Sequence, residues 1–162
     1  MGCPPSLADS CPPSYCHSSI RWLYDYWRER RPAPDMLPGR RHIDPLDFHR
    51  LWPWIWMVDV QPEPLRFRFR LIGSRHVALM QRDYSRQWLD EALPRLFGTP
   101  VTEGLEYAVV NRTSGYRRSP SYFRYKGKLH SAPHRMAERL FLPLAADGLA
   151  VNIVLALTML DD

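Results

Sequence analysis

The sequence predicts an α+β fold: a five-stranded antiparallel sheet with central helices on one face and an N-terminal helix flanking the domain. Three observations carry that expectation. First, Leu65 to Gly73 reads Leu-Arg-Phe-Arg-Phe-Arg-Leu-Ile-Gly, so on a strand Phe67, Phe69 and Leu71 share one face and Arg66, Arg68 and Arg70 the other. Second, Asp147-Gly148 separates two apolar runs, the strongest short hairpin signal a sequence offers. Third, apolar residues at helical spacing precede and divide these strands, giving the order helix, two strands, helices, three strands.

Residues 1–17 are rich in Pro, Ser and Cys without periodicity and are expected to be a flexible tail, with residues 18–160 as one domain. Ser18 or Ser19 caps a predicted helix running to Arg31, with Ile20, Leu23, Tyr24 and Trp27 on one face and Trp22 and Tyr26 beside it. So aromatic a helix must lie on something. Asp44-Pro45 reads as N-cap and first residue of a short helix with Phe48 and Leu51 buried, ending at Pro53. Trp54 to Val60 has the β-branched and aromatic content of a strand, and Pro62 and Pro64 turn it into the Arg-Phe strand.

Gly73-Ser74 opens a short helix through Met80, and Trp88, Leu89 and Leu93 are expected in turns under the core. Thr99-Pro100 begins a second long helix, with Val101, Leu105, Ala108 and Val109 on one face and Gly115 beyond its end. Ser121 to Tyr125 reads as a short strand, followed by a polar loop holding His130 and His134. In the final hairpin, a two-residue turn would pair Leu144 with Val151, Leu142 with Ile153 and Leu140 with Leu155. The opposite face then holds Phe141, Val154, Arg139 and Ala156, so the outer side of the sheet is half apolar and calls for a cover.

Composition narrows the function classes. At 162 residues, 45% hydrophobic and 24% charged, the chain has the makeup of one ordinary globular domain. No apolar run reaches spanning length, and the N-terminus lacks a secretion-signal pattern, so a cytoplasmic placement is expected. The net charge of +5 is spread along the chain without a nucleic-acid-binding motif. Cys3, Cys11 and Cys16 are odd in number, and the spacing around Cys16-His17 fits neither a zinc knuckle nor haem attachment. They are expected to be incidental thiols. No metal cluster, phosphate loop or nucleophile elbow occurs, and Asp90-Glu91 point apart on a helix, so no enzyme is expected.

Several runs together resemble a known family: Leu23-Tyr24-Asp25-Tyr26-Trp27-Arg28, Ile43-Asp44-Pro45, Met57-Val58-Asp59-Val60, Phe67-Arg68-Phe69-Arg70-Leu71-Ile72-Gly73, Trp88-Leu89-Asp90-Glu91 and Leu142-Pro143-Leu144-Ala145-Ala146-Asp147-Gly148. In that order they are similar to PAS-like sensory domains, and more closely to the compact stand-alone bacterial branch. The sequence departs from the family at Gln81 and Arg86, where relatives tend to have glycine.

The resemblance implies a pocket between the sheet and its central helices, lined from Phe67, Phe69, Leu71, Leu105, Val109, Leu142, Ile153 and Leu155, for a small hydrophobic or carboxylate ligand. It implies no cofactor, because flavin-adduct and thioester-linked relatives need a cysteine that is missing after Cys16, and the long helix lacks a histidine to hold haem. His76 is the nearest candidate ligand. With only Asp161-Asp162 after the last strand, output is expected through a protein signalling partner. A homodimer is expected through Trp22, Leu23, Tyr26, Trp27, Arg66, Arg68, Arg70, Phe141 and Val154. Two alternatives stand beside this reading. A cystatin-like cone fold, as binding protein or enzyme, would need Asp59 to point into its cavity. A basic nucleic-acid binder would show steeply salt-dependent binding.

Overall fold

The computed structural model describes residues 10–161. Its sheet has the order β2-β1-β5-β4-β3, every neighbouring pair antiparallel: β1 Ile55–Pro62, β2 Leu65–Ile72, β3 Gly115–Tyr125, β4 Lys128–Leu144 and β5 Ile153–Leu160. The helices are α1 Ser18–Glu29, α2 Ser74–Met80, α3 Leu89–Ala92 and α4 Pro100–Asn111, with a 3-10 segment at Pro45–Trp54. The chain is thus α+β in three layers, as predicted.

The central strands explain the layering. β5 and residues 137–144 of β4 are buried on both faces, so their side chains feed two separate cores. On one face Trp56, Val58, Phe67, Phe69, Phe141, Val154 and Ala156 meet α3 and α4. On the other, Leu140, Leu142, Leu144, Ile153, Leu155 and Leu157 meet α1. Sequence reasoning placed Phe67 and Phe69 on the helix side, as found, and separated the two faces of the β4–β5 hairpin correctly but assigned those to opposite sides. Leu142, Ile153 and Leu155 pack under α1 instead of lining a helix-side pocket, whereas Phe141 and Val154 lie among the central helices instead of on an outer interface. With both faces apolar, period two alone cannot say which face meets which layer; the β1–β5 register decides it, placing Val58 opposite Val154.

Leu71 is corrected for a different reason. Val58 pairs with Phe69 and Met57 with Leu71, leaving Arg70 as an extra residue in a β-bulge. The bulge inverts the alternation, so Leu71 turns outward, 49% exposed, while Ile72 turns in. In the hairpin, Leu144 pairs with Ile153, Leu142 with Leu155 and Leu140 with Leu157, two residues from the predicted register. The turn is longer than two residues, because Asp147 Oδ1 accepts the N–H groups of Leu149 at 2.9 Å and Ala150 at 2.8 Å and folds them into a loop. Those N–H groups also hold the Asp147 carboxyl below its usual pKa.

β3 and β4 are longer than predicted. His130 lies in β4 opposite Phe123, and His134 lies where the partners jump from Met136 to Ala132, so neither is in a loop. α4 closes at Arg112, whose φ of 52° is left-handed, and Gly115 opens β3. Gly104 lets α4 approach the sheet: a Cβ there would stand 2.1 Å from the Phe141 ring. At Gln81 and Arg86 φ is 56° and 72°, the left-handed region that glycine enters most readily.

α1 lies on its own sheet. Ile20 and Leu23 are fully enclosed, and the buried Trp27 indole donates to the Pro143 carbonyl at 2.9 Å. The described part of the expected tail, residues 10–17, also lies against the domain. Ser10, Cys11 and Pro12 are buried, the His17 N–H donates to Glu138 at 3.1 Å, and Arg21 donates to the carbonyls of Pro12 and Pro13. Cys11 is disulfide-bonded rather than an incidental thiol. Cys16 is a free thiol whose pKa burial pushes up. Cys3 lies outside the described residues.

Candidate functional site

The three arginines of β2 meet partners instead of bare solvent. Arg66 stacks on Trp88 at 4.2 Å and pairs with Asp90 at 2.8 Å, which lowers the Asp90 pKa; Arg70 pairs with Asp59 at 3.0 Å. Arg68 donates to the Arg86 carbonyl at 2.8 Å, and the backbone of Phe69 bonds to Arg86 and Gln87. The segment 86–88 therefore covers the open edge of β2. Asp59 is part of this surface, so the residue named for the cone-fold alternative does not point into a cavity.

A cavity of about 80 Å³ lies between the sheet and α2, α3 and α4. Its walls are mostly apolar, including Trp56, Phe69, Ile72, Leu93 and Val101. Among the eight predicted lining residues, Phe69 is at the cavity; Phe67, Leu105 and Val109 belong to the same core layer around it; Leu142, Ile153 and Leu155 are buried on the opposite face under α1, and Leu71 is exposed. A wider concavity of about 570 Å³ lies on the other side, between the 3-10 segment and the β1–β2 end, walled by Trp52 and Leu71 among others. Those two side chains are 44% and 49% exposed, so this is an open trough.

What distinguishes the inner cavity is its polar content. Arg139, on β4, is 4% exposed and lines it. Its Nη1 donates to Ser119 Oγ at 2.5 Å and its Nη2 to the Pro120 carbonyl at 3.2 Å, and the guanidinium carbon lies 5.5 Å from the Tyr122 ring centre. Among the described residues no carboxylate pairs with it. Burial lowers its pKa to about 10, which still leaves it charged at neutral pH.

Further polar groups line the same cavity. Tyr84, 2% exposed, carries a buried hydroxyl with no hydrogen-bond partner among the described residues. The Trp56 indole donates to Thr158 Oγ1 at 2.9 Å. His76 Nε2 lies 2.8 Å from the Trp54 carbonyl and so carries the proton toward it. His76 is partly buried as a residue, yet its ring is enclosed enough for burial, and secondarily the Arg139 charge, to lower its pKa. The contact with Trp54 engages one ring nitrogen of His76, and no group of three or more metal-binding side chains occurs among the described residues.

Sequence reasoning missed Arg139, Tyr84, Trp56 and Thr158 as site residues. Arg139 gave a signal, since it directly precedes the apolar run Leu140 to Ala145 of a strand expected to be buried. Tyr84 gave none, because it lies in a stretch without periodicity.

A PAS domain profile matches residues 15–158, so the chain belongs to the PAS domain family, a family of sensory domains. No curated protein matches the sequence. Among solved structures, a sensory box sensor histidine kinase from Vibrio cholerae is similar at 13% identity and a TM-score of 0.47, with 72% of this chain and 91% of that one covered. No helix among the described residues is long and apolar enough to cross a membrane.

Proposed function

We propose that this PAS domain, spanning residues 18–160, is a sensory module that signals through contact with another polypeptide and is gated by a small ligand in the helix-side cavity. The observation that carries the reading is the cavity itself: an apolar space against the central sheet, furnished with polar groups that fixed packing does not need. Its wall includes residues of the short helices α2 and α3 and, between them, Arg82 and Tyr84, elements that a ligand can reposition. Occupancy there would change the surface formed by Trp88, Asp90 and Arg66, which adjoins the cavity wall at Leu89.

The test is thermal denaturation across a panel of small hydrophobic compounds and acids. The reading expects at least one to raise Tm in proportion to the logarithm of its concentration, and a panel without any shift would overturn the gate. The contact is proposed as a homodimer through the surface that remains accessible, with Trp22, 46% exposed, the exposed arginines Arg68 and Arg70, and Arg66 half-buried beside them. Leu23, Tyr26 and Trp27 are occupied in the chain's own core and drop out of that surface. Light scattering should give a dimer that Trp22→Glu dissociates; a monomer at micromolar concentration would end the dimer proposal.

A further inference from the structure

We propose that the inner cavity is a carboxylate site: Arg139 binds the acid group of a short monocarboxylic acid and the apolar wall takes its chain. The inference rests on the ligand-gated reading above and gives that ligand a chemistry.

Two facts about Arg139 lead there. A buried guanidinium is ordinarily found with a carboxylate, because desolvating an unpaired charge is costly. Here the described residues supply a hydroxyl, a carbonyl and an aromatic ring, and no negative charge. These bonds also use two of the five N–H donors that a guanidinium carries. A desolvated cation with donors left over is half of a bidentate carboxylate contact.

The rest of the wall agrees. Besides Arg139 the ionisable lining groups are His76, Arg82 and the phenols Tyr84 and Tyr122; no Asp or Glu is among them. Arg82 and Arg124 also sit over the Tyr84 ring, at 5.5 and 5.8 Å, so the electrostatic bias at this end of the cavity is positive throughout. The Tyr84 hydroxyl is buried without a partner, which is unusual for a phenol and leaves one O–H free to donate to the same acid group. Trp56, Phe69 and Leu93 offer nothing polar to a ligand's far end except the indole N–H, already given to Thr158.

Volume sets the size. An engineered apolar cavity of about 150 Å³ holds a benzene ring. At about 80 Å³ this one suits an acid of roughly two to four carbons. The wall away from the arginines is hydrocarbon, so a charge at the far end of the ligand, as in a dicarboxylate, is disfavoured, and phosphate brings no chain to fill that wall.

The experiment is calorimetric titration and thermal denaturation with sodium propionate, with propionamide as the uncharged analogue, and with inorganic phosphate and chloride at matched ionic strength. The proposal expects propionate to bind wild type at least tenfold more tightly than propionamide or phosphate, and to raise Tm by about 5–10 °C at a hundredfold excess over Kd. In Arg139→Met the preference should vanish, with propionate weakened tenfold or more and propionamide retained. Should that variant fail to fold, Tyr84→Phe serves, with propionate weakened severalfold and propionamide unchanged.

If propionamide binds as well as propionate and Arg139→Met is indifferent, the carboxylate assignment falls while the ligand-gated reading stands. Phosphate binding as tightly as propionate would overturn the monocarboxylate class. No binding by any of the probes overturns the assignment, and only a blank result across the wider panel takes the gated reading with it.

Discussion

The two faces of the sheet are built from the same strands, yet they are finished differently. On the α1 side Ile20, Leu23, Leu140, Leu142 and Leu157 are at or near zero exposure, and the polar groups that enter this core are matched: the Trp27 indole by the Pro143 carbonyl, the Tyr116 hydroxyl by Glu138 at 2.7 Å. On the helix side a cavity remains, with a buried cation lacking a counter-charge and a phenol lacking a partner. Close packing is the rule for protein interiors, and unsatisfied polar groups are rare in them. Where the sheet meets α1 both rules hold, and that packing holds the domain together; the helix side departs from both at one spot, and that spot is where binding belongs.

That contrast can be broken by substitution. The largest effect is expected on the α1 side, where Trp27→Ala removes a large buried ring and its hydrogen bond and should cost about 3–5 kcal/mol in denaturant-measured stability. Because Trp27 is enclosed by its own chain, this variant reports on folding and not on association. Gly104→Ala tests how tightly α4 is seated: the added methyl meets the Phe141 ring, and a loss of about 1–3 kcal/mol is expected. A neutral result would mean that α4 stands further from the sheet.

Arg139→Met should behave in the opposite sense. Replacing an unpaired buried charge with hydrocarbon relieves desolvation, so unliganded stability should be unchanged or higher by about 1 kcal/mol, the Ser119 hydroxyl losing a partner in exchange. A loss of about 3 kcal/mol would show that the arginine is a structural post.

The smallest effect is a slope. The folded-state pKa of His76 is depressed below its ordinary 6.5, so between the two values the unfolded chain binds a proton that the folded chain does not. His76 therefore makes stability fall as pH is lowered through 6.5, down to the folded pKa. His76→Gln should flatten urea-measured stability against pH in that window, and an unchanged slope would place the ring in water.

Much of this was legible in the sequence because local chemistry set it: the Asp44-Pro45 start, the Phe67-Phe69 face, the Thr99-Pro100 start of α4, and an aromatic helix that had to be covered. The errors share one cause. Leu142 and Phe141 were separated correctly and put on the wrong sides because a strand apolar on both faces carries no label for either; Leu71 was misplaced because one bulged residue at Arg70 inverts everything after it. Register and bulges are set by pairing across the sheet, between residues distant in sequence. The site suffered most, since Tyr84 and Arg139 come together only through the cavity, 55 positions apart along the chain.

Each face carries one hydrogen-bonded buried indole, Trp56 beside the cavity and Trp27 under α1, and their N–H resonances can be followed separately in a titration with propionate. The account predicts that the Trp56 signal moves with ligand while the Trp27 signal stays where it is. Movement of Trp27 alone would place the ligand on the α1 side, and stillness of both at saturating acid would contradict the cavity as a binding site.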